Sequence, residues 1–123
     1  MQRTRPKNLN LFTIHFPVPA IISILHRISG AILFLLIPVI LWGLEYSLTE
    51  SGFDTLHAWF GTLYIKLFFW LLLVPLLFHL VAGLRHLLMD LQIGVTLKGG
   101  RTSAWLTLII SGIVILLAGI WLW

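Results

Sequence analysis

The chain has 123 residues, 59% of them hydrophobic and only 10% charged, with a formal net charge of +4 and a mean hydropathy of +1.04. A soluble domain carries about 25% charged residues, so this composition excludes a solvated globular monomer. The absence of cysteine excludes disulfides, thiolate metal sites and iron–sulfur clusters within the chain.

Residues 1–19 form a basic and then mixed leader. Arg3, Arg5 and Lys7 come first, and polar and apolar residues alternate through 8–16, a pattern suited to lying along a membrane surface. No small-residue cleavage site follows, so a cleavable signal peptide is not expected. Pro17 and Pro19 prepare a helix start. Three stretches without Asp, Glu, Lys or Arg follow, at 28–44, 67–84 and 102–123. A bilayer-crossing helix needs about 20 mainly apolar residues. The expected fold is an all-α membrane protein, one membrane-anchor domain over 1–123, with helices at 20–46, 62–89 and 102–123. The first helix opens with an unusually polar pair of turns, Ser23, His26, Arg27, Ser29 and Gly30, and carries Pro38 as a bend. Residues 47–60 form an acidic connection with Glu50 and Asp54, and 92–101 a short loop with Gly94, Gly99 and Gly100. That loop matches neither G-x-G-x-x-G nor a Walker pattern, so no nucleotide site is expected.

The cations lie in the leader and at Lys98 and Arg101, and the 47–60 connection has none. Topology therefore explains the basic balance better than nucleic acid, which is not an expected partner. By the positive-inside rule the N-terminus and the second connection are cytoplasmic and the C-terminus is periplasmic. Trp42, Tyr46, Trp59, Tyr64, Trp121 and Trp123 then fall at the outer interface as an aromatic belt. The expected location is a bacterial inner membrane or its organellar equivalent.

Ionisable groups at membrane depth are costly and mark functional sites. His26, Arg27, His79 and Arg85 with its neighbour His86 qualify. At 1.5 Å per residue, Arg27 lies about 12 Å inside the first helix and His79 about 16 Å inside the second. Ser23 and Arg27 share a helix face, and His79, Gly83 and His86 form one stripe. An imidazole at mid-depth is a suitable axial ligand for haem iron. An arginine nearer the surface suits haem propionates, and Gly83 removes bulk where a flat ligand could approach. No second imidazole of the chain is expected at the depth of His79, since His26 counts several ångström shallower, so a second axial ligand would come from another polypeptide. Plainer roles compete: a buried His79 bonded to a helix carbonyl, Arg27 snorkelling to headgroups, Arg85 and His86 as interface anchors, and Ser23 bonded to its own helix. His15 and His57 are read as ordinary interfacial residues.

Arg5-Pro6 with Asn8-Leu9, then S-x-x-H-R-x-S-G at 23–30, then H-x-x-x-G-x-R-H at 79–86 followed by Asp90, resembles the cytochrome b membrane-anchor subunit of succinate dehydrogenase, respiratory complex II. The resemblance covers nearly the whole chain, and the two motifs in this order are specific. It implies that His79 is an axial ligand of haem b, the other coming from a second membrane-anchor subunit. It implies that Ser23 and Arg27 line the ubiquinone site, and that His26, Arg27 and His86 lie at the haem propionates and edge. Arg5 and Pro6 would belong to a leader beneath the iron–sulfur subunit. The implied assembly oxidises succinate in a flavoprotein subunit and passes electrons through iron–sulfur clusters to ubiquinone, as part of the tricarboxylic acid cycle. No catalytic residue of the flavin chemistry is expected here, and the chain would be a non-flavin subunit of the enzyme. A haemless structural anchor and a fumarate reductase anchor are the alternatives. A transporter is disfavoured because the polar residues stop at mid-depth.

Overall fold

The computed structural model describes Asn10 and residues 13–123. Arg3, Arg5, Pro6, Lys7, Asn8 and Leu9 lie outside the described residues. Four helices follow in order: α1 Val18–Ser47, α2 Glu50–Phe60, α3 Leu63–Asp90 and α4 Leu97–Leu122. Three of them, α1, α3 and α4, are long and apolar enough to cross a membrane. At 30, 28 and 26 residues they span roughly 39–45 Å, beyond the ~30 Å hydrocarbon layer. Their ends therefore reach through the headgroups, which explains how charged residues sit within them.

Most expected helix ends shift by only one or two residues; two larger differences, an added helix and an earlier α4 start, both arise from capping. The 47–60 connection contains α2, because Thr49 accepts a hydrogen bond from Gly52 N at 3.1 Å and Glu50 occupies the first turn, where a carboxylate suits the helix dipole. α4 begins at Leu97 and not at 102: Thr96 accepts from Gly99 N at 3.0 Å, so Lys98 and Arg101 are helical. Charge marks where the apolar layer starts, whereas the cap marks where the helix starts. The turn between α3 and α4 reverses the chain through Gln92 (φ 63°) and Gly94 (φ 73°). Pro17 caps α1 and Pro38 lies inside it.

α3 is the central helix, packed against α1 on one side and α4 on the other. Ile22, Ala82 and Ala104 are fully buried where the three meet, with Val18, Phe78 and Leu108 against them. Two alanines at this point let the helices approach closely, as small residues do in membranes. Two polar fastenings hold α3 to α4. Near one end, the Trp70 indole N–H donates to the Ile115 carbonyl at 3.0 Å. Near the other, the buried Arg85 donates from Nε to Ser103 Oγ at 3.0 Å and from Nη2 to the Gly100 carbonyl at 3.2 Å. Much of the remaining apolar surface faces outwards; Phe34 and Leu35 are each 71% exposed. A surface of that kind is compatible with lipid or partner helices and not with water.

Candidate functional site

The polar turns of α1 face the histidine stripe of α3, and the contact is built around Ser29. This serine is buried. Its hydroxyl donates to the carbonyl of His26, one turn back, at 2.8 Å. A hydroxyl has one proton, so with it committed there, the Oγ meets His79 Nδ1 at 2.9 Å as an acceptor. His79 Nδ1 also lies 3.2 Å from the His26 carbonyl oxygen, a second acceptor. Two acceptors on one ring nitrogen assign the proton to Nδ1. In a neutral imidazole the lone pair would then fall on Nε2, which makes no hydrogen bond among the described residues.

His26 and His79 stack, with ring centroids 4.0 Å apart and planes 14° from parallel. His86 lies against the other ring at a tilt, its centroid 4.9 Å from that of His26. The depth count separated His26 from His79, but their side chains meet. Counting along each helix says nothing of how far one slides past the other. Stacked faces do not converge on a common point, so these rings are not two ligands of one ion. Among the described residues, no group of three or more His, Cys, Asp or Glu is placed to hold a metal.

Glycines make the stack possible. A Cβ on Gly30 would stand 3.1 Å from His79 Cε1, and one on Gly83 would stand 3.3 Å from His26 Nε2. The space above Gly83, expected to admit a flat ligand, is thus taken by the edge of the His26 ring. That Nε2 is buried and has no hydrogen-bond partner. Arg27 is exposed and Ser23 half-buried, and neither side chain forms a hydrogen bond among the described residues. They lie one turn apart, near the stack.

His26, His79, Gly83 and His86, marked out by their spacing, come together in the structure. Ser29 was noted only as a polar residue of the first turns. The signal that could have singled it out is its i+3 spacing from His26, which lets a helical serine bond back to that carbonyl. Arg85 and His86, adjacent in sequence, part company: Arg85 fastens α4, while His86 joins the stack.

A haem iron would be ligated by a neutral imidazole nitrogen whose partner nitrogen is fixed by a hydrogen bond to a carbonyl or a similar acceptor. His79 carries the fixed partner nitrogen, and in its neutral form the residues present fit such a group.

The family described as succinate dehydrogenase/fumarate reductase transmembrane subunit matches residues 1–122. The chain is 43% identical to the succinate dehydrogenase cytochrome b556 subunit of Coxiella burnetii, over 100% of both chains. It is 32% identical to that of Paracoccus denitrificans, over 91% of this chain and 85% of the relative. It is 36% identical to the cytochrome b560 subunit of Reclinomonas americana, over 73% of this chain and 67% of the relative. Together with three apolar helices of spanning length, these likenesses identify a multi-pass membrane protein that belongs to the succinate dehydrogenase/fumarate reductase transmembrane subunit family, as a cytochrome b membrane anchor of succinate dehydrogenase.

Proposed function

We propose that this chain supplies one axial ligand of haem b and part of the ubiquinone-reduction site of a succinate dehydrogenase in a bacterial inner membrane. The observation that carries the reading is the pair of acceptors at His79 Nδ1, Ser29 Oγ at 2.9 Å and the His26 carbonyl at 3.2 Å, from which a proton on Nδ1 follows. It leaves Nε2 as the ligand atom. When bound, the haem supplies a one-electron carrier beside the quinone path.

The chain's own residues position and complete this site. The His26 ring packs on one face of His79 and restrains its rotation. The unpartnered Nε2 of His26 is available to a propionate, and Arg27 and His86 lie near enough along their helices to share that task. Ser23 and Arg27, free of hydrogen bonds to the described residues, serve the quinone. Ser23 holds a quinone oxygen, and the Arg27 guanidinium stabilises negative charge that develops as the quinone is reduced. A second anchor subunit would supply the other haem ligand. The flavoprotein and iron–sulfur subunits would deliver electrons from the side of Lys98 and Arg101, which the positive-inside rule assigns to the cytoplasm.

The test is the redox-difference spectrum of the assembled complex carrying His79→Leu. Succinate oxidation by an artificial acceptor serves as the control for assembly. Loss of the b-type absorbance with the control activity retained is expected. An unaltered spectrum rejects His79 as ligand.

A further inference from the structure

Arg85 is 6% exposed, and its hydrogen bonds, to Ser103 Oγ and the Gly100 carbonyl, go to neutral groups. The chain has four carboxylate side chains. Glu45, Glu50 and Asp54 belong to the opposite end of the bundle, and Asp90 is exposed beyond the end of the apolar layer. The guanidinium is therefore fastened but not neutralised. A charge in that position is costly at membrane depth unless an anion joins it.

Arg85 also lines a groove of about 300 Å³ between α3 and α4. Leu84, Leu88, Leu106 and Ile110 form its open apolar walls, and Ile93 and Gly94 of the turn close its end. From Leu88 to Val81 the groove follows α3 for about 10 Å. On α3, Arg85 is turned away from the His79–Gly83–His86 stripe, so the groove is separate from the histidine cluster and its outcome does not bear on the haem reading. Lys98 and Arg101 stand exposed at the same end of α4, which adds positive potential at the mouth.

We infer that this groove binds one anionic glycerophospholipid, with its phosphate on Arg85 and one acyl chain along Leu84, Leu88, Leu106 and Ile110. Arginine presents a planar fork of N–H donors that matches phosphate oxygens in pairs. Basic pockets between spanning helices on the cytoplasmic side recognise anionic headgroups in this way. The apolar walls would hold the chain where a free phosphate ion gains nothing.

The test uses the assembled complex, washed in mild detergent and then offered phosphatidylglycerol, phosphatidylcholine or inorganic phosphate, with retained lipid read by native mass spectrometry. The wild-type complex is expected to keep one phosphatidylglycerol at least tenfold more strongly than phosphatidylcholine. Arg85→Gln should lose that preference. Leu106→Trp, which fills the groove and retains the arginine, should lose the lipid altogether and decides the matter if Arg85→Gln fails to assemble. Equal retention of the two lipids by wild type, or unchanged phosphatidylglycerol in Leu106→Trp, would overturn the proposal. So would displacement of the lipid by inorganic phosphate alone, or capture of a polypeptide by a photo-reactive residue at Leu84.

Discussion

Replacing Ser29 with alanine removes one atom from the centre of the site. The Oγ accepts the His79 Nδ1 proton at 2.9 Å, and after its loss only the His26 carbonyl at 3.2 Å remains. A net hydrogen bond is worth about 0.5–1.5 kcal/mol, and losing an outer-shell partner of a metal-bound histidine costs about 10–100-fold in affinity. Because one acceptor survives, the lower end applies, and haem retention should fall about tenfold. Donation from Nδ1–H makes Nε2 more basic and favours the ferric state. The midpoint potential should therefore rise, by about 20–60 mV if that same energy separates the two oxidation states, since tenfold is 59 mV for one electron. Potentiometric titration of the b-type absorbance in the assembled complex measures this shift. Ser29→Thr keeps a hydroxyl that bonds back to the helix carbonyl and should restore the wild-type potential. A potential unchanged in Ser29→Ala, or shifted equally in the alanine and threonine variants, would refute the assignment of the proton.

Arg27→Leu should lower quinone reduction by about 10²-fold while dye-linked succinate oxidation persists; parallel loss of both would point to failed assembly instead. Gly83→Ala asks His26 Nε2, 3.3 Å from the new Cβ, to yield by a few tenths of an ångström, and haem content should hold. Gly83→Leu cannot be accommodated in this way. It should displace His26 from the His79 face, at a cost of about 1–3 kcal/mol in overpacking, seen as a several-fold loss of haem absorbance. Trp70→Phe deletes the 3.0 Å bond to the Ile115 carbonyl and should lower the thermal midpoint through a loss of about 0.5–1.5 kcal/mol. Its haem spectrum should be unchanged, because Trp70 lies far along α3 from His79.

The spanning helices were legible because membrane depth writes itself as uninterrupted apolar sequence: 28–44 and 67–84 fall inside α1 and α3, and 102–123 runs through α4 to one residue past its end. Their ends were less so. The α4 start depends on one side-chain bond, Thr96 to Gly99 N, and α2 on a cap of the same kind at Thr49. Neither leaves a hydropathy signal. The stripe of His79, Gly83 and His86 followed from helical spacing alone. What meets that stripe did not, because the slide of α1 past α3 is set by the packing of Ile22, Ala82 and Ala104. Arg85 shows the same gap between spacing and packing. By depth it resembled an interface anchor, but the small residue Gly100 in α4 leaves a carbonyl that its guanidinium can reach.

Both side-chain hydrogen bonds that join α1 to α3 among the described residues pass through His79 Nδ1. Pairing the two helices and orienting the imidazole are therefore one event. The rotational freedom of the ring is surrendered when the chain folds, restrained by Ser29, by the His26 carbonyl and by the stacked His26 face. On the proposed reading, a haem arriving later would meet a ring already held in one orientation, with little ordering entropy left to oppose its capture.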